Sequence, residues 1–359
     1  MHTAIIPILQ GWTSGNRSTS EELQQLLVQE LVDSQRARAF DITQENGLRK
    51  IEARSRLFLV VYDEVVQLCQ KFGLTRSHAI LSMLWQLWLP LAMQLAEAKN
   101  RLKRPLVQGI LGGQGMGKTT LAEVSCIILR HLGYATISIS IDDLYKTYAE
   151  RQKLQQQDPR LIWRGPPGTH DVELGIQLLD RIRHCHTPIL VPRFDKSARN
   201  GAGDRTEPEA IDRVDIVLFE GWFVGARPVD EIAFENPPPP ILTPEDKQFA
   251  RDTNERLKDY LPLWERLDRL IVLYPVDYRL SKQWRREAEQ KMMASGKSGM
   301  SDEEIDRFVE YFWRSLHPEL FITPLTKNPD LVDLVIEIDA EHCPSKVYKP
   351  DNQFTFFTQ

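Results

Sequence analysis

The chain is short of several features that narrow function quickly. It has only four cysteines in 359 residues, Cys69, Cys126, Cys185 and Cys343, with no CxxC and no paired spacing. That excludes a disulfide framework and predicts reduced thiols in a cytoplasmic protein. No charge of one sign dominates: 45 Lys+Arg stand against 50 Asp+Glu, a net charge of −5. This gives no reason to expect binding to nucleic acid or to a membrane surface. The opening MHTAIIPILQGW has no basic segment leading a long apolar run, so no signal peptide is expected. Nor is there a clean membrane span. The most apolar stretch, residues 79–98, is interrupted by Gln86, Pro90 and Gln94, barely reaches the ~20 residues a span needs, and predicts a buried helix. No internal repeat is visible. His184, Cys185 and His186 sit together in RIRHCHTP, but their spacing does not suit structural zinc.

What is present is an ordinary globular composition, 42% hydrophobic and 26% charged. Residues 1–103 read as an all-helical accessory domain. Thr19 and Glu22 form a capping-box signature ahead of Leu23, Leu26, Leu27 and Leu31 on one helical face. Residues 51–72 and 79–98 read as two further helices, and KNRLKRP, 99–105, as a charged joint. From residue 104 to 359 strands alternate with helices: LVQGILGG, a helix over about 118–131, YATISISIDDLY, a helix near 172–184, PILVPRFD, DIVLFEGW and DRLIVLYPV. The alternation predicts an α/β domain, a parallel sheet with helices on both faces, and ligands at the carboxyl ends of its strands. The PPPP run at 237–240 reads as an extended surface insertion. Ser301 is placed to cap a helix whose Ile305, Phe308, Val309, Phe312 and Leu316 form one apolar stripe.

The densest signal is GILGGQGMGKTTLAE at 109–123, with five glycines in nine positions. Gly112-x-x-x-x-Gly117-Lys118-Thr119 has the spacing of a phosphate-cradling P-loop, with an apolar strand before it and a helix after it. Backbone N–H groups converge on phosphate oxygens only where side chains stay out of the way, and the helix adds its positive end. The nucleotide-binding residues are then Gly112, Gly113, Gln114, Gly115, Met116, Gly117, Lys118, Thr119 and Thr120. Lys118 is expected on the β- and γ-phosphates, and the Thr119 hydroxyl on Mg²⁺. Two acids, Asp142 and Asp143, end the next strand, and Glu220 ends another. Terminal acids of this kind hold Mg²⁺ or orient a nucleophile. One of the 142/143 pair is expected to serve only as a cap.

GGQGMGKTTLA, SIDDLY, RGPPGTHD, PRFDKSARNGAGDR, VLFEGW and WRREAE follow one another in this order. Together they resemble the phosphoribulokinase/uridine kinase group of P-loop kinases and, within it, the D-glycerate 3-kinases of plants and cyanobacteria. The resemblance covers about residues 105–350. The P-loop and VLFEG are shared across the group, whereas PGTHD and the DKSARNGAGDR stretch carry the glycerate assignment. It implies a P-loop NTPase-type sheet, ATP and Mg²⁺, and transfer of the γ-phosphate to the 3-hydroxyl of D-glycerate, a small anion. By the match of SIDDLY, Asp142 would take the hydroxyl proton or help Thr119 and Glu220 hold Mg²⁺; the role of Asp143 stays open. Tyr145, His170, Arg193, Lys196 and Arg205 would surround the anionic acceptor, with Arg199 a further cation. The stretch 278–301 resembles a lid, with Arg279, Lys282, Arg285 and Arg286 at helical spacing; the match of WRREAE favours Arg285 as the arginine that covers the phosphates. A kinase of uridine, pantothenate or a sugar phosphate is the alternative, and a P-loop ATPase switch is the alternative from another class. Oligomeric state is not legible.

Overall fold

The computed structural model describes residues 5–294 and 299–351. Helices occupy its first hundred residues: α1 (Ile6–Thr13), α2 (Ser20–Val32), α3 (Ser34–Ala39), α4 (Gln44–Lys71), α5 (Ser77–Met83) and α6 (Leu89–Arg101), the last two joined by one π-helical turn, Leu84–Trp88. The Thr19–Glu22 capping box forms as expected, and Leu23, Leu26 and Leu27 are buried. The run 77–101 is long and apolar enough to cross a membrane, yet 67% of its most apolar window is buried inside the protein. Its Trp85 meets Trp12 and Phe58 edge to face, at ring separations of 5.6 and 6.1 Å.

The strands are β1 (Leu106–Leu111), β2 (Thr136–Ser140), β3 (Ile189–Val191), β4 (Phe194–Asp195), β5 (Asp204–Arg205), β6 (Glu209–Ile211), β7 (Ile216–Gly221), β8 (Arg269–Pro275), β9 (Leu334–Ile338) and β10 (Pro344–Tyr348). Six of them form the main sheet in the order β10-β9-β8-β1-β7-β2. The five from β9 to β2 are parallel, and β10 closes the edge antiparallel to β9. Two differences from expectation stand out. PILVPRFD does not enter this sheet: β3 pairs antiparallel with β6, and β4 with β5, in two small ribbons. A short apolar run is equally at home in either setting, and only the partner decides. The prolines at 237–240 do not stay extended: Pro239 and Pro240 lie in a turn whose Pro238 carbonyl accepts the N–H of the buried Ile241.

Side chains alternate across the sheet with period two. Leu106, Ile110, Ile216, Leu218, Ile271, Leu273, Leu334 and Ile336 share one apolar cluster with the N-terminal helices and α7 (Lys118–His131). Val107, Leu111, Val217, Phe219, Leu270, Val272 and Val335 face the other way. There they meet α9 (Val172–Arg183), α10 (Pro244–Leu257) and α11 (Leu261–Trp264), which follow the exposed α8 (Tyr148–Gln157). The helical segment thus covers one face of the sheet in a continuous core. α12 (Leu280–Ala294) and α13 (Asp302–Ser315) lie in the stretch between β8 and β9. Ser301 caps α13 as expected, Glu304 completing a capping box, and Ile305, Val309, Phe312 and Leu316 are buried.

Candidate active site

β1 runs directly into the glycine loop, and the loop into α7, so the open N-terminus of a 14-residue helix lies at the carboxyl end of the sheet. Gly115 and Gly117 adopt φ of +77° and +76°, the left-handed region that glycine enters freely. The close approach is tightest at Gly115, where a Cβ would lie 2.8 Å from the Cβ of Trp284. Among the described residues no side chain caps α7, and its first turn has no acid. Its N–H groups and positive end are therefore open to a phosphate, so the residues fit a nucleotide triphosphate. Lys118 Nζ donates to the Gly113 carbonyl at 2.9 Å, spanning the loop. Burial pushes the Lys118 ammonium pKa down, and the Glu220 and Asp142 carboxylates only partly pull it back.

Thr119 Oγ1 donates to Glu220 Oε1 at 3.3 Å. Glu220, 7% exposed, stands at the end of β7, in register with Ile110 of β1 and Ser140 of β2. A hydroxyl and a carboxylate side by side are the hard oxygen donors that Mg²⁺ takes, and Mg²⁺ completes its shell with water and phosphate. Among the described residues no group of three or more His, Cys, Asp or Glu forms a cage, which such a site does not need.

The two acids after β2 separate cleanly. Asp143 accepts the Ser140 N–H at 2.9 Å and closes a capping box on the 3₁₀ turn Ile141–Leu144. It also meets Arg193 at 3.3 Å. Asp143 is the structural cap of the pair. Asp142 instead meets Lys196 Nζ at 2.6 Å. Burial alone would raise the Asp142 carboxyl, but Lys196 and the Tyr145 hydroxyl outweigh it and hold it below its usual value. For Asp143 burial wins, and its carboxyl is raised. The structure thus brings Lys118, Thr119, Asp142, Glu220 and Lys196 into one electrostatic neighbourhood.

His170 corrects an expectation. It was grouped with the cations, but it is 2% exposed and burial pushes its imidazole pKa down to about 3. It is neutral. Its ring stacks on Tyr145 at 4.6 Å, and Nδ1 is bonded to the Tyr260 hydroxyl at 2.8 Å. Nε2 is buried with no partner among the described residues.

The long motifs are largely framework. Thr169 Oγ1 accepts the Gly165 N–H at 3.1 Å and donates to the Pro166 carbonyl at 2.8 Å, locking the RGPPGTHD loop. Asp171 caps α9 and pairs with Arg205 at 2.9 Å, and Arg205 also donates to the Tyr145 carbonyl at 2.8 Å. Arg193 is held by Glu209 at 2.7 Å in addition to Asp143. Arg199, at φ +53°, pairs with Asp204. Arg193 and Arg205 therefore have carboxylate partners within the fold. Sequence reasoning passed over Arg164, in the same RGPPGTHD motif. Its guanidinium lies over Tyr145 and Phe194, 5.9 and 5.6 Å from the ring centres. It donates to the Gly201 and Ala202 carbonyls, and no carboxylate pairs with it among the described residues.

The basic helix of the expected lid is docked in this conformation. Trp284, 1% exposed, packs on Gly115 and donates to the Ala340 carbonyl at 3.3 Å. Arg285 pairs with Glu289 on its own helix and lies over Phe308. Arg286 is paired with Asp306, Lys282 with Glu310, and Arg279 with Asp277. Residues 295–298 of the stretch lie outside the described residues.

A phosphate cradle with a lysine across it, a hydroxyl–carboxylate pair beside it and a second acid on the neighbouring strand end define a P-loop kinase. The comparisons agree. The chain is 30% identical over 305 residues to the chloroplastic D-glycerate 3-kinase of Arabidopsis thaliana, covering 77% of this chain and 65% of the length of that relative. It is 31% identical over 218 residues to the uncharacterized kinase mug58 of Schizosaccharomyces pombe, covering 58% of this chain and 79% of that one. Among solved structures, a D-glycerate 3-kinase from Cryptococcus neoformans superposes with a TM-score of 0.62 at 26% identity, covering 72% of this chain and 97% of that one. No family model matches. The chain belongs to the kinase family of mug58 and is similar to D-glycerate 3-kinases, spanning just under two thirds of the length of the plant relative.

Proposed function

We propose that the protein transfers the γ-phosphoryl group of ATP to the 3-hydroxyl of D-glycerate, giving 3-phosphoglycerate and ADP. The observation that carries this reading is the Asp142–Lys196 pair at the end of β2: an ionised carboxylate able to take a proton, beside a cation suited to an anionic acceptor. The hydroxyl oxygen forms the new bond to phosphorus, the bond to ADP breaks, and the hydroxyl proton passes to Asp142. Such a transfer needs positioning and charge neutralisation more than covalent help.

Lys118 leaves the Gly113 carbonyl to neutralise the transferred phosphate. Mg²⁺, when bound, supplies further neutralisation, and Thr119 and Glu220, with Asp142 nearby, are the residues that would hold it. Tyr145, Lys196 and Arg164 line the acceptor side, with Arg193 and Arg205 bracing the loops that carry them and the neutral His170 supporting Tyr145. Arg285 reaches the phosphates only after releasing Glu289, which is the movement a lid near 278–301 would make. Residues 1–103 serve as an accessory part of residues 104–359, and a reducing compartment such as the cytoplasm suits the four unpaired cysteines. The test is an acceptor screen with ATP and D-glycerate, uridine, pantothenate or ribulose 5-phosphate, following ADP. D-glycerate should be used fastest. Faster use of uridine, or ADP release that needs no acceptor, would overturn the reading.

A further inference from the structure

A cavity of about 670 Å³ beside the P-loop is walled in part by the N-terminal helices, and Asp142 is not among its lining residues. Its floor is Gly115, Gly117, Thr120 and Leu121, the outer loop and first turn of α7. One side is the turn after β9, Ala340 to Cys343, where His342 Nδ1 is bonded to the Gly115 carbonyl at 3.1 Å. The other side is the turn between α4 and α5, with Phe72, Leu74 and Arg76. The volume is within the roughly 300–1,000 Å³ of small-molecule sites.

The phosphate chain fixes which part of a nucleotide this cavity would take. The γ-phosphate end must face Lys118, Glu220 and Asp142, where transfer occurs. The remainder of the molecule then leaves along the first turn of α7, past Thr120, into the cavity. Phe72 stands at the rim of the cavity, 44% exposed, with its ring available to a ligand that enters it. Arg76 lines the same wall and has no carboxylate or hydrogen-bond partner for its side chain among the described residues. We propose that the α4–α5 turn, Phe72 to Arg76, completes the nucleoside end of the ATP site, with Phe72 packing on the base. The helical segment is thereby part of the substrate site. This rests on the kinase reading of the P-loop.

The test uses the full chain and binding rather than turnover. ATP and inorganic tripolyphosphate are each titrated against a fluorescent ATP analogue bound to the wild type, Phe72→Ser, Arg76→Ala and Lys118→Ala. Base–aromatic stacking is worth enough that Phe72→Ser should weaken ATP roughly tenfold, about 1.4 kcal/mol, while tripolyphosphate binds as in the wild type. Unchanged tripolyphosphate affinity also shows that the variant is folded. Arg76→Ala should likewise weaken ATP, and Lys118→Ala should weaken both ligands. If Phe72→Ser and Arg76→Ala both bind ATP as the wild type does while Lys118→Ala does not, the proposal fails and the P-loop reading stands. If the wild type binds neither ligand, the kinase reading itself has failed.

Discussion

Replacing Gly115 by alanine puts the shape of the phosphate loop to a quantitative test. Gly115 sits at φ +77°, and an added Cβ would lie 2.8 Å from the Trp284 Cβ and 3.6 Å from its ring. The left-handed conformation costs an L-residue about 1–2 kcal/mol. Trp284 cannot easily retreat. It is 1% exposed, its indole N–H is bonded to the Ala340 carbonyl, and its ring lies 4.7 Å from that of His342. Overpacking of such a site costs about 1–3 kcal/mol. Together the two terms come to about 2–5 kcal/mol, roughly 30-fold to a few thousand-fold in ATP affinity if the bound loop bears all of it. Titration with ATP by calorimetry, alongside thermal unfolding, apportions the loss between binding and fold. The double variant Gly115→Ala/Trp284→Gly separates the terms: the Cβ that the new methyl group would meet is gone and the backbone strain remains, so part of the affinity lost on adding the methyl group should return relative to Trp284→Gly alone. A single variant with ATP affinity within twofold of wild type and unchanged stability would refute the loop conformation and its contact with α12.

Other perturbations bear on the site and on its support. Asp142→Asn should lower kcat by roughly 10²–10⁴ with ATP still bound, as removal of a general base does, whereas Asp143→Ala should chiefly cost stability, about 0.5–2 kcal/mol for a lost cap; steady-state kinetics and urea unfolding distinguish them, and a larger kcat loss for Asp143→Ala would contradict the assignment. His170 should stay neutral in an NMR titration down to about pH 5. Because its folded pKa of about 3 lies below an unfolded value near 6.5, the unfolded chain binds the proton first. Its stabilising contribution is full above pH 6.5 and fades as pH falls, by about 3 kcal/mol at pH 4; a titration near 6.5 in the folded protein would contradict its burial. In the helical segment Glu30, 2% exposed, pairs with Arg54 at 2.7 Å and with Arg36 at 3.2 Å. Burial would raise the Glu30 carboxyl, but the two arginines win and hold it low. Its contribution is present above the unfolded carboxylate pKa and is lost as pH falls through the lower folded value. Glu30→Gln should cost about 3–5 kcal/mol at pH 7 in urea unfolding, with a much smaller difference from wild type at strongly acidic pH.

The features legible in the sequence are those that local chemistry dictates. The P-loop shows because glycine is the residue that enters φ of about +77° without strain, and Glu220 shows because an acid ending an apolar strand is conspicuous. What stayed hidden depends on distant partners. Ile189–Val191 looks like any sheet strand, and only Glu209–Ile211 beside it makes it part of a ribbon. Leu334, Ile336 and Ile338 alternate as a strand should, but they were passed over with no motif to draw attention to them. The charge of His170 could not be read from its residue type, since it is set by Tyr145 and Tyr260 packing around it. Arg193 and Arg205 were expected on the acceptor because the Glu209 and Asp171 partners lie 16 and 34 residues away. Trp284 gave no sign that it would be pinned against Gly115, and that contact docks the helix of the expected lid on the loop in this conformation.

The most direct measurement of the central claim is the identity of the product formed by the wild-type protein from ATP, Mg²⁺ and D-glycerate, read by ³¹P NMR with ADP followed in parallel. The account predicts 3-phosphoglycerate in one-to-one ratio with ADP, and neither product with Asp142→Asn on the same timescale. 2-Phosphoglycerate, or ADP accompanied only by inorganic phosphate, would contradict it.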